Sequence, residues 1–171
     1  MMRSIAFELK DFTARCQSKI SGSLVQKDSQ LIIRYAIDAA PASLLWPEPT
    51  GQAEFRDLLW QGTCLEVFYA KPSSPGYIEW NFSPAGHWAC YQFVDYRTGQ
   101  KRLTERRAVI KSGKQGNHYW LESHVPIEEE RPLDWNICVI LQDAQAQSFW
   151  SLLHPGGKPD FHDRRGFIIK A

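Results

Sequence analysis

The chain has 171 residues, 43% hydrophobic and 13% aromatic, enough for one compact domain with its own core and cramped for two. Its formal net charge is +1 with acidic and basic residues interspersed, which excludes the electrostatic footprint needed to grip a phosphate backbone. No apolar run approaches the length of a membrane span, so residues 1–171 are read as a single domain with neither nucleic acid nor membrane as partner.

The first ten residues mix Arg3, Glu8 and Lys10 with apolar residues where a signal peptide needs an unbroken apolar stretch, so a cytoplasmic protein is expected. Cys16, Cys64, Cys90 and Cys138 lie far apart with no CxxC spacing, which points to free thiols rather than a zinc ribbon. Ile5 to Leu9, Leu24 to Lys27 and Gln30 to Ile37 read as an opening series of strands, with Asp28-Ser29 as a tight turn. Residues 38–59 hold Pro41, Pro47, Pro49 and Gly51 and read as a long irregular loop of the kind that carries function, with a short helix from Ala53.

Thr63 to Ala70, Tyr77 to Ser83 and His87 to Val94 form the centre of the pattern, three β-rich runs separated by Lys71-Pro-Ser-Ser-Pro-Gly76 and Ser83-Pro-Ala-Gly86. Alternation puts Leu65, Val67 and Tyr69 on one face of the first run, and Cys64, Glu66 and Phe68 on the other. In the second run Ile78, Trp80 and Phe82 oppose Glu79 and Asn81. Glu66 is the odd residue: between apolar neighbours it must be solvated or find partners. Either it sits on an outer face, or Glu66, Glu79 and Asn81 form a concave polar floor.

Tyr96 to Gly99 reads as a turn, and Ala108 to Ser112 and His118 to Val125 as a hairpin through Gly113 to Gly116. Pro126 to Arg131 fits a single helical turn. Trp135 to Gln142 is apolar on both faces, as a central strand is, with Ser148 to Leu153 as its partner and Gly166 to Ala171 as the closing strand. Nine to eleven short strands without a long helix argue an all-β antiparallel sandwich.

The ordered set Leu59-Trp60-x-x-Thr-Cys-Leu-Glu66, Glu79-Trp-Asn-Phe-Ser-Pro-x-Gly-x-Trp88 and Trp150 with His154-Pro-x-Gly-Lys-Pro-Asp-Phe-His162 resembles the bacterial DOMON-like proteins, similar in fold to family 9 carbohydrate-binding modules. The resemblance implies a jelly-roll-type β-sandwich and a non-catalytic role in binding a small polar ligand such as a sugar. Sugar recognition needs aromatic planes for C–H faces and fixed polar groups for hydroxyls. Trp46, Trp60 and Trp88 could supply the first, with Trp46 the leading loop platform. Arg56, Glu66, Asn81 and Lys158 could supply the second, Glu66 accepting from Arg56 or from ligand hydroxyls.

The loop from His154 to His162 is the strongest single candidate. His154, Asp160 and His162 have the side chains to converge on a metal, but a loop held by its own hydrogen bonds and a Lys158–Asp160 pair is the preferred reading. Arg56 and Asp57 read as an ion pair beside Trp60. Haem would need histidines alone, since Met1 and Met2 are the only methionines, so no cofactor is expected. The alternatives are a hydrolase using Glu66 or Glu79 with His154 or His162, and a sandwich that binds a protein partner.

Overall fold

The computed structural model describes residues 3–14, 17–39 and 44–171; Cys16 and Pro41 lie outside them. Among the described residues the chain forms twelve strands and two 3-10 turns, Leu59–Gln61 and Arg164–Gly166. The strands are β1 Arg3–Asp11, β2 Lys19–Lys27, β3 Gln30–Asp38, β4 Cys64–Ala70, β5 Tyr77–Phe82, β6 Trp88–Phe93, β7 Lys101–Arg102, β8 Val109–Gln115, β9 His118–Pro126, β10 Asp134–Gln142, β11 Gln147–Ser151 and β12 Ile169–Lys170. Every strand pairing is antiparallel.

The path β7-β6-β5-β4-β10-β11-β1-β2-β3-β9-β8 is continuous, and β12 adds to β10. The strand β1 is its corner. Residues 3–9 pair with β2, whereas Lys10 and Asp11 pair with Trp150 and Ser151 of β11, so one strand serves both layers. The all-β antiparallel sandwich expected from the strand pattern is the observed architecture.

The main core lies between the layers. Leu65, Val67, Tyr69, Ile78, Trp80 and Phe82 face Leu24, Ile33, Tyr35, Ile37 and Leu121, all buried. Tyr35 crosses this core to donate a 2.8 Å hydrogen bond from its hydroxyl to the Glu66 carbonyl, tying β3 to β4. A second, smaller cluster lies on the outside of the β4 layer and includes Phe68, Tyr77, Tyr91, Phe93, Phe161 and Phe167. Its cover is the 154–167 segment, so β4 is buried on both faces at every residue.

Several local expectations change. β2 begins at Lys19 rather than Leu24, because Gly22 lets β3 and Phe7 approach: a Cβ there would stand 1.9 Å from the Arg34 carbonyl oxygen. No helix starts at Ala53. Residues 54–56 instead lie alongside Trp88, with the Trp88 N–H on the Glu54 carbonyl and the Arg56 N–H on the Trp88 carbonyl. Residues 126–131 do not coil, since Ile127 is buried in the core with its N–H on the Ser29 carbonyl. The second hairpin turns at Gly116-Asn117, with Gly116 at φ +58°, and Gly113 lies inside β8. The closing strand is short, with the Asp163 carboxylate capping the Arg164–Gly166 turn through the Arg165 N–H.

The Tyr35 bond defines a test of how the layers are held. Tyr35→Phe is expected to cost about 1–2 kcal/mol, lowering the urea midpoint with an unchanged m-value, because the hydroxyl is lost from a dry site while the ring stays packed.

Candidate functional site

The outer face of β4, β5 and β10 carries the chemistry. Register places Glu66 opposite Asn81 on β5 and Cys138 on β10, and Glu79 opposite Phe68 and Tyr91, so Glu66, Glu79 and Asn81 share one face. A pocket of about 350 Å³ opens above them, walled by Trp60, Phe149, Phe161 and His162, with Arg97 at its mouth. That size lies in the roughly 300–1,000 Å³ range of small-molecule sites.

Glu66 and Glu79 are 3% and 5% exposed, two carboxyls in the floor of one pocket. Burial pushes Glu66 well above the usual carboxylate range, and the neighbouring Glu79 pushes it further, while the Cys64 thiol and Arg97 pull it back. Burial likewise raises Glu79 to about 7, against the opposing pull of the Asn81 amide and Arg97. His162 moves the other way. Burial first, and Arg97 second, lower it to about 4, so its imidazole is neutral at physiological pH.

Hydrogen bonds orient the His162 ring. The Arg97 N–H donates to the Tyr77 hydroxyl at 3.1 Å, and that hydroxyl lies 2.8 Å from His162 Nδ1. The hydroxyl and Nδ1 share one hydrogen bond, which sets the orientation of the ring. Nε2 lies 3.7 Å from Glu79 Oε2, close but beyond a direct hydrogen bond. Phe68 and Phe93 meet the imidazole edge to face at 5.2 Å each, fixing the ring.

Two strained backbones frame the pocket. Leu58 has φ +63° immediately before the turn that presents Trp60, and Arg97 has φ +50° in the Asp95–Thr98 turn. The Arg97 guanidinium is held by Asp160 at 2.9 Å, and Asp160 also accepts from the Tyr96 hydroxyl and from the His162 N–H. The 95–98 turn and the 154–167 segment are thereby clamped together at the rim.

The predicted residues divide accordingly. Trp60, Glu66 and His162 line the pocket, and Asp160 secures its rim. Asn81 is wholly buried on the same face but does not line it. Trp46 is not a loop platform: it is 7% exposed, packed in the main core against Tyr119 at 5.1 Å. Trp88 is core as well, its indole N–H donating to the Arg106 carbonyl. Arg56 does not serve Glu66 or pair with Asp57. It pairs with Glu54 on the surface, while Asp57 binds Arg102 and the Tyr91 hydroxyl.

His154 is separated from the other loop groups by its 2.8 Å contact with the Lys10 carbonyl and its edge contact with Phe12, and Asp160 is taken by Arg97 rather than Lys158. Lys158 lines a different cleft with Gly156, Gly157 and Arg165. Among the described residues no three His, Cys, Asp or Glu side chains are grouped to hold a metal. The sequence reading missed Arg97 and Phe149, whose roles rest on a left-handed turn and on the pairing that sets β11 beside β10 in the same layer.

No family profile matches the chain, and no curated protein sequence matches it at a significant level. Solved structures do. A Bacteroides uniformis protein described as a putative carbohydrate-binding protein superposes with TM-score 0.69 at 13% identity, over 95% of this chain and 83% of that one. A family 9 carbohydrate-binding module from Caldicellulosiruptor kristjanssonii in complex with cellotriose gives TM-score 0.58 at 12% identity, over 90% and 74%. The glucose complex of a family 9 module from the same organism gives 0.54 at 12%, over 85% and 72%. The fold is therefore that of a family 9 module.

The site makes stability depend on pH in a defined direction. Burial raises Glu79 from its ordinary 4.5 to about 7 in the folded chain, so its contribution is intact below about 4.5 and is lost as pH rises through about 7. His162, held neutral down to about 4 instead of 6.5, opposes this by losing stability as pH falls from 6.5 to 4. Glu79→Gln is expected to melt higher than the parent protein at pH 8, by on the order of 3 kcal/mol at most, with the advantage gone near pH 4.5. Thermal melts across that range measure it.

Proposed function

We propose that the protein is a non-catalytic binding module for a small neutral polyhydroxylated ligand, a sugar ring foremost, seated in the pocket above Glu66 and Glu79. The observation that carries this reading is the pairing of two buried carboxyls, biased toward the protonated form, with aromatic walls. A protonated carboxyl both donates and accepts, as hydroxyls require, and a floor of low charge does not repel a neutral ring. Trp60, half-buried and edge-on to Tyr91 at 6.2 Å, supplies an aromatic surface for C–H groups. The sugar complexes of fold neighbours support the ligand class. The motif order quoted above supports a DOMON-like relative, and the buried free thiols of Cys64, Cys90 and Cys138 support a reducing, cytoplasmic setting.

A hydrolytic reading has one specific observation in its favour. Glu79, titrating at about 7, stands beside a neutral imidazole in a pocket, the arrangement of an acid–base pair.

Calorimetry with glucose and cellotriose tests the binding reading. Trp60→Ala is expected to weaken glucose binding about tenfold at an unchanged melting temperature. Absence of any saccharide binding by the parent protein removes the sugar assignment. Release of nitrophenol from nitrophenyl glycosides, abolished by Glu79→Gln, would establish the hydrolytic reading instead.

A further inference from the structure

The two carboxyls in the pocket floor have no cation of their own. Among the described residues no lysine or arginine lies within ion-pair distance of Glu66 or Glu79, and the basic group beside Glu79, His162 Nε2 at 3.7 Å, is neutral. Arg97, the cation at the mouth, is paired with Asp160 at 2.9 Å. The other titratable groups that face the pair are weak acids. Cys64 on β4, Cys138 on β10, Tyr77 on β5 and Tyr91 on β6 are each pushed up by burial, Tyr77 to about 12, so they stay uncharged near neutral pH. Behind Tyr91, Asp57 and Arg102 pair with each other.

What surface the two carboxyls retain, 3% for Glu66 and 5% for Glu79, opens into the pocket, so solvent entering it is what hydrates any negative charge they carry. A bound sugar displaces that solvent. Each ring hydroxyl replaces a water donor one for one at best, and the C–H surface replaces water with groups that donate nothing, so ligand entry disfavours the ionised form. Linkage is reciprocal. A ligand that holds protons on the pair binds more tightly where the pair is already protonated.

We propose that sugar binding in this pocket is coupled to proton uptake: the ring enters with Glu66 and Glu79 both protonated, and ionisation of the pair expels it. The proposal rests on the carbohydrate reading above and adds its regulation. Glu79 sets the working range, since burial brings it to about 7, while His162, lowered to about 4, stays neutral across that range. Above about pH 6 the complex holds more protons than the free protein, so affinity falls as pH rises through neutrality and is level between about pH 5 and 6.

Calorimetry with glucose from about pH 5 to 8.5, at each pH in two buffers of different ionisation enthalpy, reads both the affinity and the protons taken up. The parent protein is expected to take up about one proton per glucose at pH 8 and almost none at pH 5, with Kd rising about tenfold from pH 7 to 8.5. Glu79→Gln is expected to flatten this profile and abolish the uptake, whereas Trp60→Ala weakens binding at every pH and keeps the slope. Affinity that is level across the whole range, or proton release in place of uptake, overturns the coupling and leaves the pocket reading standing. A slope kept by Glu79→Gln and Glu66→Gln alike also overturns it, by placing the titrating group elsewhere. No binding of glucose or cellotriose at any pH removes both the coupling and the sugar assignment.

Discussion

The burial of β4 on both faces is the constraint from which the rest of the site follows. Leu65, Val67 and Tyr69 point into the core between the layers, and Cys64, Phe68 and Ala70 into the cluster under the 154–167 segment. A strand closed on both sides ordinarily carries apolar residues throughout. Here Glu66 interrupts it, and its backbone carbonyl also receives the Tyr35 hydroxyl from the opposite layer. The carboxyl therefore has no route to bulk water except through the pocket, and desolvation dominates its chemistry.

Once Glu66 is committed to that position, its neighbours are read by their effect on charge. Glu79 repels a second negative charge, so both carboxyls are biased toward protonation. His162 would be the obvious cation to relieve them, yet burial and Arg97 keep it neutral, and the Tyr77 hydroxyl holds its ring through Nδ1. Among the described residues Arg97 is the one permanent cation lining the pocket, and its pairing with Asp160 uses much of that charge to close the rim. The pocket is thus polar without being strongly charged, a surface that discriminates by hydrogen-bond geometry.

Aromatic residues divide the labour between layers. Trp80, Trp135 and Trp150 are core, as are Trp46 and Trp88, because a sandwich of this thickness fills its interior with large side chains. Trp60 and Trp120 escape that role for different reasons. Trp60 is held outward by a 3-10 turn entered through a left-handed residue, and Trp120 by its place on the solvent side of an alternating strand. The same residue type becomes core or surface through backbone context alone.

Period-two alternation, turn chemistry and the lack of helical periodicity determined the sandwich and most of its strands, because these signals are local: each depends on a few neighbouring residues. The same alternation put Glu66, Glu79 and Asn81 on one face, and the polar side of residues 118–124 already carried Trp120 in view. Tertiary structure alone decided burial. Trp46 in a proline-rich loop looked like surface until the loop folded back on Tyr119, and Glu66 stood between an outer face and a polar floor until the segment from His154 closed over its strand. The partners of Arg56, Asp57 and Asp160 were likewise set by contacts between segments far apart in sequence. Whether a carboxyl ionises depends on what covers it, and the cover here is supplied by residues some ninety positions away.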